Sequence, residues 1–285
     1  MADILAAHYF AGVIGLSVLR RWYVDGDRNE VRLAELRDLL DRCDEFPHSL
    51  KLNPIERDLS NGYAEWSSTY DGPNPLIETE NPVVFPLLER LAGAGVTALD
   101  AACGTGRHAA TLASLGCDTT GVDASAEMLA VAREKVPGAR FEHGDVESLP
   151  FVDAVFDVAI ISLALCHLAD PSRAVAELGR VLRPGGALVI TDPHPVGELL
   201  GGQAFYGGIS PGKPMTWVRN HYHSAATWLR AVRAAGLEVT GCEEVPFGES
   251  QIAAAPASLV YAEATRDAMI GLPSLWVWHL TKPSR

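Results

Sequence analysis

From Val96 onward the chain alternates short apolar runs with helix-like stretches, and few architectures satisfy that rhythm. The runs lie at 96–99, 119–122, 139–142, 155–161 and 187–190. Between them, 107–115, 126–135 and 172–182 carry the spacing of helices. Strand and helix in this order imply βαβ units and a parallel sheet. A helix over 224–235, ended by Gly236, and strands at 237–245 and 275–280 complete the expectation. The predicted fold is α/β: a doubly wound, mostly parallel sheet of seven strands.

The flanking segments read differently. Residues 1–50 are helical, with Val31, Leu33, Leu36, Leu39, Leu40 and Cys43 forming an apolar stripe. The apolar stretch 4–19 is shorter than a membrane-spanning helix needs, lacks a basic flank and is interrupted by His8, so a buried helix is expected. Residues 60–82 read as an irregular connection and 83–93 as a helix. After Asp192 a Gly/Pro-rich stretch, 193–214, includes Gly201–Gly202 and Gly207–Gly208 and is long for a connection, as lids and binding loops are. The expected division is a helical extension or cap over 1–80 and a main domain over 81–285, with a substrate-side insertion at 193–223.

With 285 residues, 48% of them apolar, the chain can bury a core without staples. A net charge of −13 disfavours nucleic acid as substrate. The five cysteines, Cys43, Cys103, Cys117, Cys166 and Cys242, are odd in number and show no ligand-like spacing. Reduced thiols in a cytoplasmic protein are the simplest reading.

The strongest local feature is Asp100-Ala101-Ala102-Cys103-Gly104-Thr105-Gly106, which follows a predicted strand and opens a helix. Gly104 and Gly106 allow a tight turn beside a ligand, and a helix N-terminus presents free N–H groups to an anion. An unliganded turn, a dinucleotide site and another nucleotide-like site all fit this feature alone. Asp123 then ends the second strand, where a carboxylate can accept from ribose hydroxyls. Gly144-Asp145-Val146 follows the third, where an acid can accept from an adenine amine. Ser162-Leu163 ends the fourth strand, and 182–186 makes a Gly/Pro turn into the fifth.

Taken in order, these motifs resemble the class I S-adenosylmethionine (SAM)-dependent methyltransferases, in particular the small-molecule and ubiquinone-biosynthesis types, over roughly residues 80–245. The resemblance implies a Rossmann-like fold, SAM as cofactor and S-adenosylhomocysteine as product. It implies that Asp100 and the backbone from Ala102 through Gly104 to Gly106 hold the methionine portion. Asp123 would take the ribose, Ala124 and Met128 would lie by the adenine, and Asp145 and Val146 would read its edge. Leu163 would sit near the sulfonium, and Tyr70 in the segment covering the cofactor. One departure is Ala102, where the family often has glycine.

Methyl transfer to oxygen or nitrogen can call for a base. The candidates are His194, then His167, then His221. His221 and His223 would share a face of a strand, but nothing nearby completes a metal site, so none is expected. Tyr63, Trp66 and Tyr70, and Phe205, Tyr206, Trp217 and Tyr222 in the insertion, suit an aromatic or apolar small-molecule acceptor. No nucleic acid or membrane partner is expected; the N-terminal helices would cap the domain or pair two subunits. Two other readings stay open: a SAM-fold protein without methyl transfer, such as a cyclase or binding partner, and a nicotinamide-dependent oxidoreductase.

Overall fold

The computed structural model describes residues 3–207 and 214–284. Its strands are β1 (Pro54–Arg57), β2 (Thr97–Ala101), β3 (Asp118–Asp123), β4 (Arg140–His143), β5 (Phe156–Ser162), β6 (Leu182–Pro193), β7 (Ala204–Tyr206), β8 (Met215–Val218), β9 (Glu238–Pro246) and β10 (Pro273–Thr281). The chain divides into two compact units, one built from residues 57–204, 218–245 and 273–285 and the other from 1–56, 205–217 and 246–272.

The larger unit holds a seven-stranded sheet in the order β4-β3-β2-β5-β6-β10-β9. From β4 to β6 neighbours run parallel, and β10 runs antiparallel to β6. The apolar runs are nearly continuous because both faces are covered. Side chains of one strand point alternately to two cores. Leu99, Ala101, Ala159, Ile161, Leu188, Ile190, Trp276 and Trp278 enter one, with Leu178 of helix Ser172–Val181 and Trp228 of helix Ala225–Ala234. Ala98, Ile160, Val189, Leu275 and Val277 enter the other, with Val84, Leu87 and Leu88 of helix Pro75–Leu91. The expected doubly wound α/β fold is therefore present.

Register decides where the strands stop together. Ala101 pairs with Val122 on one side and Ile161 on the other, and Ile161 pairs with Ile190. Residues 102, 123, 162 and 191 consequently lie level at one edge of the sheet. Glu80 ties that edge together. Its buried carboxylate accepts from Ser162 Oγ at 2.6 Å and from Thr191 Oγ1, and pairs with Arg107 Nη2 at 2.5 Å. Arg107 also donates to Asn81 Oδ1 at 2.7 Å.

The smaller unit packs Phe10 and Ile14 of helix Ala6–Arg21 and Leu39 of helix Gly26–Asp41 against Ala257, Tyr261 and Ala264. His48 Nε2 lies 2.9 Å from Tyr261 Oη, and buried Asp267 pairs with Arg28 at 2.7 Å and Arg21 at 3.1 Å. A three-stranded sheet has the order β1-β8-β7, so strands of the insertion join one from the N-terminal segment. Among the described residues no helix is long and apolar enough to cross a membrane.

This division differs from a boundary at residue 80. Residues 57–80 belong with the large sheet, because the helix expected from 83 starts at Pro75, capped by Asn74 Oδ1 accepting from Leu76 N at 3.0 Å. Residues 246–272 join the N-terminal helices, since Tyr261 and Ala264 complete their core. The expected 193–214 loop contains helix Pro195–Leu199 and β7, while Gly208 and residues 209–213 of the insertion lie outside the described residues. The expected turn at 182–186 runs within β6.

Replacing Glu80 by Ala leaves the Arg107 guanidinium without its carboxylate. Urea unfolding should show a loss of about 3–5 kcal/mol, the usual cost of breaking a buried pair on one side.

Candidate active site

The site grows from the turn after β2. Ala102, Gly104 and Gly106 have φ of 51°, 51° and 80°, so the backbone reverses twice in five residues before helix Arg107–Ser114 begins. A Cβ on Gly104 would meet no heavy atom within 4 Å, so that residue borders open space on the sheet's carboxyl edge. Asp100 is buried, and its Oδ2 accepts from Ala109 N at 2.7 Å, which braces the turn against the helix. Burial raises its carboxyl to about 6 against the pull of His108 and the Ala109 N–H.

Asp123 meets the turn directly. Its Oδ2 accepts from Gly104 N and its Oδ1 from Ser125 N, both at 2.8 Å. Burial raises this carboxyl, and the two N–H groups oppose the rise. Each oxygen keeps a lone pair for a further donor. Next to it, Asp123 pairs with His143 across β3 and β4, Gly144 N donates to the Asp123 carbonyl at 3.0 Å, and the His143 ring lies 2.9 Å from the Ala124 carbonyl. Asp145 and Val146 follow directly after these contacts. Asp145 is exposed and its Oδ1 accepts from Glu147 N at 2.8 Å, a turn that offers the acid and the following backbone at the rim. Met128, at 1% exposure, sits as a core side chain of helix Ala126–Lys135. Leu163 has a φ of 53°, and its N–H donates to the Thr191 carbonyl at 2.8 Å.

The segment before helix Pro75–Leu91 is fastened to the same turn. Asp71 accepts from Thr105 Oγ1 at 2.6 Å and pairs with Lys135 at 2.5 Å. Tyr70 next to it stands edge-on to Trp66, 5.1 Å between centroids, and Tyr63 lies 5.7 Å from Trp66. Burial lifts the Tyr70 phenol to about 12.

The three histidine candidates separate clearly. His194 caps helix Pro195–Leu199: its Nδ1 accepts from Val196 N at 3.2 Å, which leaves the proton on Nε2, 3.2 Å from Glu244 Oε1. Both nitrogens are committed, and the ring packs edge-on to Trp276 at 4.6 Å. His221 is held through its backbone, with N 2.6 Å from the Cys166 carbonyl. His167 donates from Nδ1 to the Arg219 carbonyl at 2.8 Å, so its Nε2 lone pair receives the Tyr63 hydroxyl at 2.7 Å. Burial lowers the His167 pKa and holds the Tyr63 phenol well above its ordinary value. His223 lies 2.9 Å from the Leu168 carbonyl and edge-on to Trp228. Among the described residues no three His, Cys, Asp or Glu cluster as metal ligands, and all five cysteines are unpaired.

Two acids escaped the sequence reading. Glu80 is one. Burial would raise it, but His108, Arg107 and the Ser162 hydroxyl outweigh burial and hold it at about 2. Asp192, on the edge beside Thr191, is the other; burial, opposed by Cys166, lifts its carboxyl to about 8. An acid closing the apolar run 187–190 was the available signal for Asp192. Glu80 lies inside a helix and gave none.

Asp192 keeps its proton in the folded chain to about pH 8 but loses it at about 3.9 when unfolded. Folding thus takes up a proton between these values, and stability falls as pH rises through that window. Asp100 at about 6 and Glu198 at about 7, both raised by burial, act in the same sense. Melting temperatures should decline from pH 5 to 8, and Asp192→Asn should flatten the decline. Separately, Ala102→Gly should raise stability by up to about 1 kcal/mol in urea titration, because the left-handed cost to alanine exceeds glycine's added unfolded freedom.

Residues 99–190 match the methyltransferase domain family. A demethylmenaquinone methyltransferase of Clavibacter sepedonicus is 38% identical over 136 residues, 46% of this chain and 56% of that protein. A malonyl-[acyl-carrier protein] O-methyltransferase of Pectobacterium atrosepticum is 41% identical over 97 residues, 34% of this chain and 38% of that protein. The chain thus spans little more than half of the first relative's length and less of the second's. A SAM-dependent methyltransferase structure from Mesorhizobium loti superposes with a TM-score of 0.54 at 24% identity, over 74% of this chain and 99% of that one, which shows the shared fold. The glycine turn and the two acids after it thus lie in the part of the chain that is similar to the methyltransferase domain family.

Proposed function

We propose that this protein transfers the methyl group of SAM to a small organic acceptor with an aromatic or apolar body. One observation carries the reading: the Asp123 carboxylate touches the glycine turn, and Asp145 follows two residues after His143, the strand partner of Asp123. The reading takes Asp123 as the ribose acid, Asp145 as the adenine-edge acid and the backbone bend as the wall for the methionine portion. The open space at Gly104 fits a ligand lying against the turn.

In this reading Asp123 holds the ribose hydroxyls, and the backbone from Ala102 to Gly106 meets the methionine portion. Asp145 and Val146 read the adenine edge, with Ala124 by its face and Met128 in the core behind. Tyr70 and Leu163 border the reacting end. When bound, SAM supplies a methyl activated by a sulfonium, which leaves by in-line displacement. The protein's part is then alignment and exclusion of water. The Asp71 tether to Thr105 and Lys135 keeps the Tyr63, Trp66 and Tyr70 wall in place for that purpose.

Among the candidate bases, His167 offers a lone pair that is reached through the Tyr63 hydroxyl. An acceptor hydroxyl or amine gives its proton to the Tyr63 oxygen as the Tyr63 proton moves to His167 Nε2. The Arg219 carbonyl fixes the tautomer this requires. His194, with both nitrogens committed, is a cap in this scheme. The two matched relatives are named for different acceptors, a quinone precursor and an acyl-carrier-linked malonyl group. Their similarity to this chain is consistent with a common cofactor half and an acceptor chosen by other residues.

Calorimetry with S-adenosylhomocysteine should show binding, weakened about 10–100-fold by Asp123→Ala, as for a lost hydrogen bond to a charged group. Radiolabelled SAM with a panel of aromatic acceptors should show transfer. Tyr63→Phe should slow it about 100-fold or more at unchanged cofactor affinity. Absence of heat from the wild-type protein would refute the cofactor reading. Binding without transfer to any acceptor would point to a non-methylating member of the fold.

A further inference from the structure

At the end of β6 the folded chain buries three oxygens and meets none of them with an N–H or O–H donor, the Cys166 thiol alone among side chains reaching the Asp192 carboxyl. Asp192 is 2% exposed; its Oδ1 accepts from Cys166 N at 3.2 Å, and its Oδ2 has no hydrogen-bond partner. Glu198 Oε2 and Asn220 Oδ1 are buried and unpartnered as well. The groups belong to one cluster. Asn220 Nδ2 approaches Glu198 Oε1 at 3.5 Å, and Asn220 N donates to Gln203 Oε1 at 2.7 Å. The neighbouring His221 N donates to the Cys166 carbonyl at 2.6 Å. Burial first, then the charges of Asp192 and Glu198, push the Cys166 thiol upward, so both carboxyls face it.

The cluster adjoins the aromatic wall. Asp192 and Cys166 both act on the Tyr63 phenol, after burial and Tyr70. His167, bonded to Tyr63, follows Cys166 in the same turn, Leu165–His167. Nothing in the cofactor scheme uses these three oxygens. Buried polar atoms are normally paired, and oxygens that are not call for an explanation by ligand, water or ion.

We infer that Asp192, Glu198 and Asn220 form the recognition site for a protonated amine carried on an aromatic or apolar body, and that this amine is the handle by which the methyl acceptor is held. A primary ammonium presents three N–H donors and no acceptor, which matches three oxygens lacking donors. A hydroxyl would supply one donor and leave the others unmet, and a carboxylate would be repelled. The aromatic rings beside the cluster favour a cation over their faces. The chain's net charge of −13 draws cations toward it. The inference deepens the methyl-transfer reading and rests on it only for the ligand's role as acceptor.

Three probes of similar shape test it: phenethylamine, 2-phenylethanol and 3-phenylpropionate, titrated calorimetrically at pH 8 with saturating S-adenosylhomocysteine. Phenethylamine should bind at least tenfold more tightly than the other two. Asp192→Asn should weaken it at least tenfold and Glu198→Gln measurably, both leaving S-adenosylhomocysteine affinity unchanged. Phenethylamine affinity should also rise from pH 6 to 8 as Asp192 gives up its proton; the titratable groups facing that carboxyl include Cys166, Glu198, Glu80 and Tyr63. Equal binding of the three probes, binding of none, or wild-type affinity in folded Asp192→Asn or Glu198→Gln would overturn the inference. If S-adenosylhomocysteine fails to bind, the cofactor reading falls, and the amine preference measured without it still decides the subsite.

Discussion

Glu80 carries its charge with none of its side chain exposed to water. Such a group is tolerable only because Arg107, Ser162 and Thr191 converge on it. These partners come from the helix after the glycine turn and from the ends of two neighbouring strands. One carboxylate thus fixes the relative height of three elements at the edge where the site forms. The pair costs desolvation and returns position. The turn at Gly104 and the edge at Thr191 cannot drift apart without stranding a buried charge.

Around that anchor the ionisable groups divide by what surrounds them. Glu80, among donors, stays ionised at about 2. Asp123, between two backbone N–H groups, is stabilised as an acceptor with capacity left over. Asp192, with one donor and a neighbouring acid, holds its proton to about 8. The same carboxyl chemistry therefore appears as a clamp and, in the proposed scheme, as a cofactor-side acceptor and an acceptor-side group, and environment distinguishes them. Histidines divide in the same way: a committed helix cap at His194, and at His167 a lone pair that meets a phenol.

In the proposed scheme the cofactor half and the acceptor half are built by different means. Backbone does much of the first, through positive φ at Ala102, Gly104, Gly106 and Leu163. Side chains do most of the second, on segments that follow β5 and β6. A half made from backbone tolerates little change in local geometry, whereas side chains after the strands can differ while the sheet stays the same. The match of the methyltransferase domain family to residues 99–190 fits this division.

Much of the sheet was legible along the chain, because a strand covered on both faces must read as a short apolar run and a helix between strands must show its own period. The glycine turn, Asp123 and Asp145 were legible for a related reason: each lies just past a strand end, where local sequence alone dictates the backbone. Residues 246–272 were not, since their Ala-rich helices pack against Phe10, Ile14 and Leu39, far away in sequence. Nor was the role of Glu80, which depends on groups 27 to 111 positions distant being brought to one point. The fate of His194 was likewise decided by folding, when Val196 and Glu244 took both its nitrogens. Sequence determined what each element would be, because periodicity and turn chemistry act over a few residues. Tertiary structure alone decided which polar atoms met and which were left unpaired, because burial and charge act between residues that the chain order keeps apart.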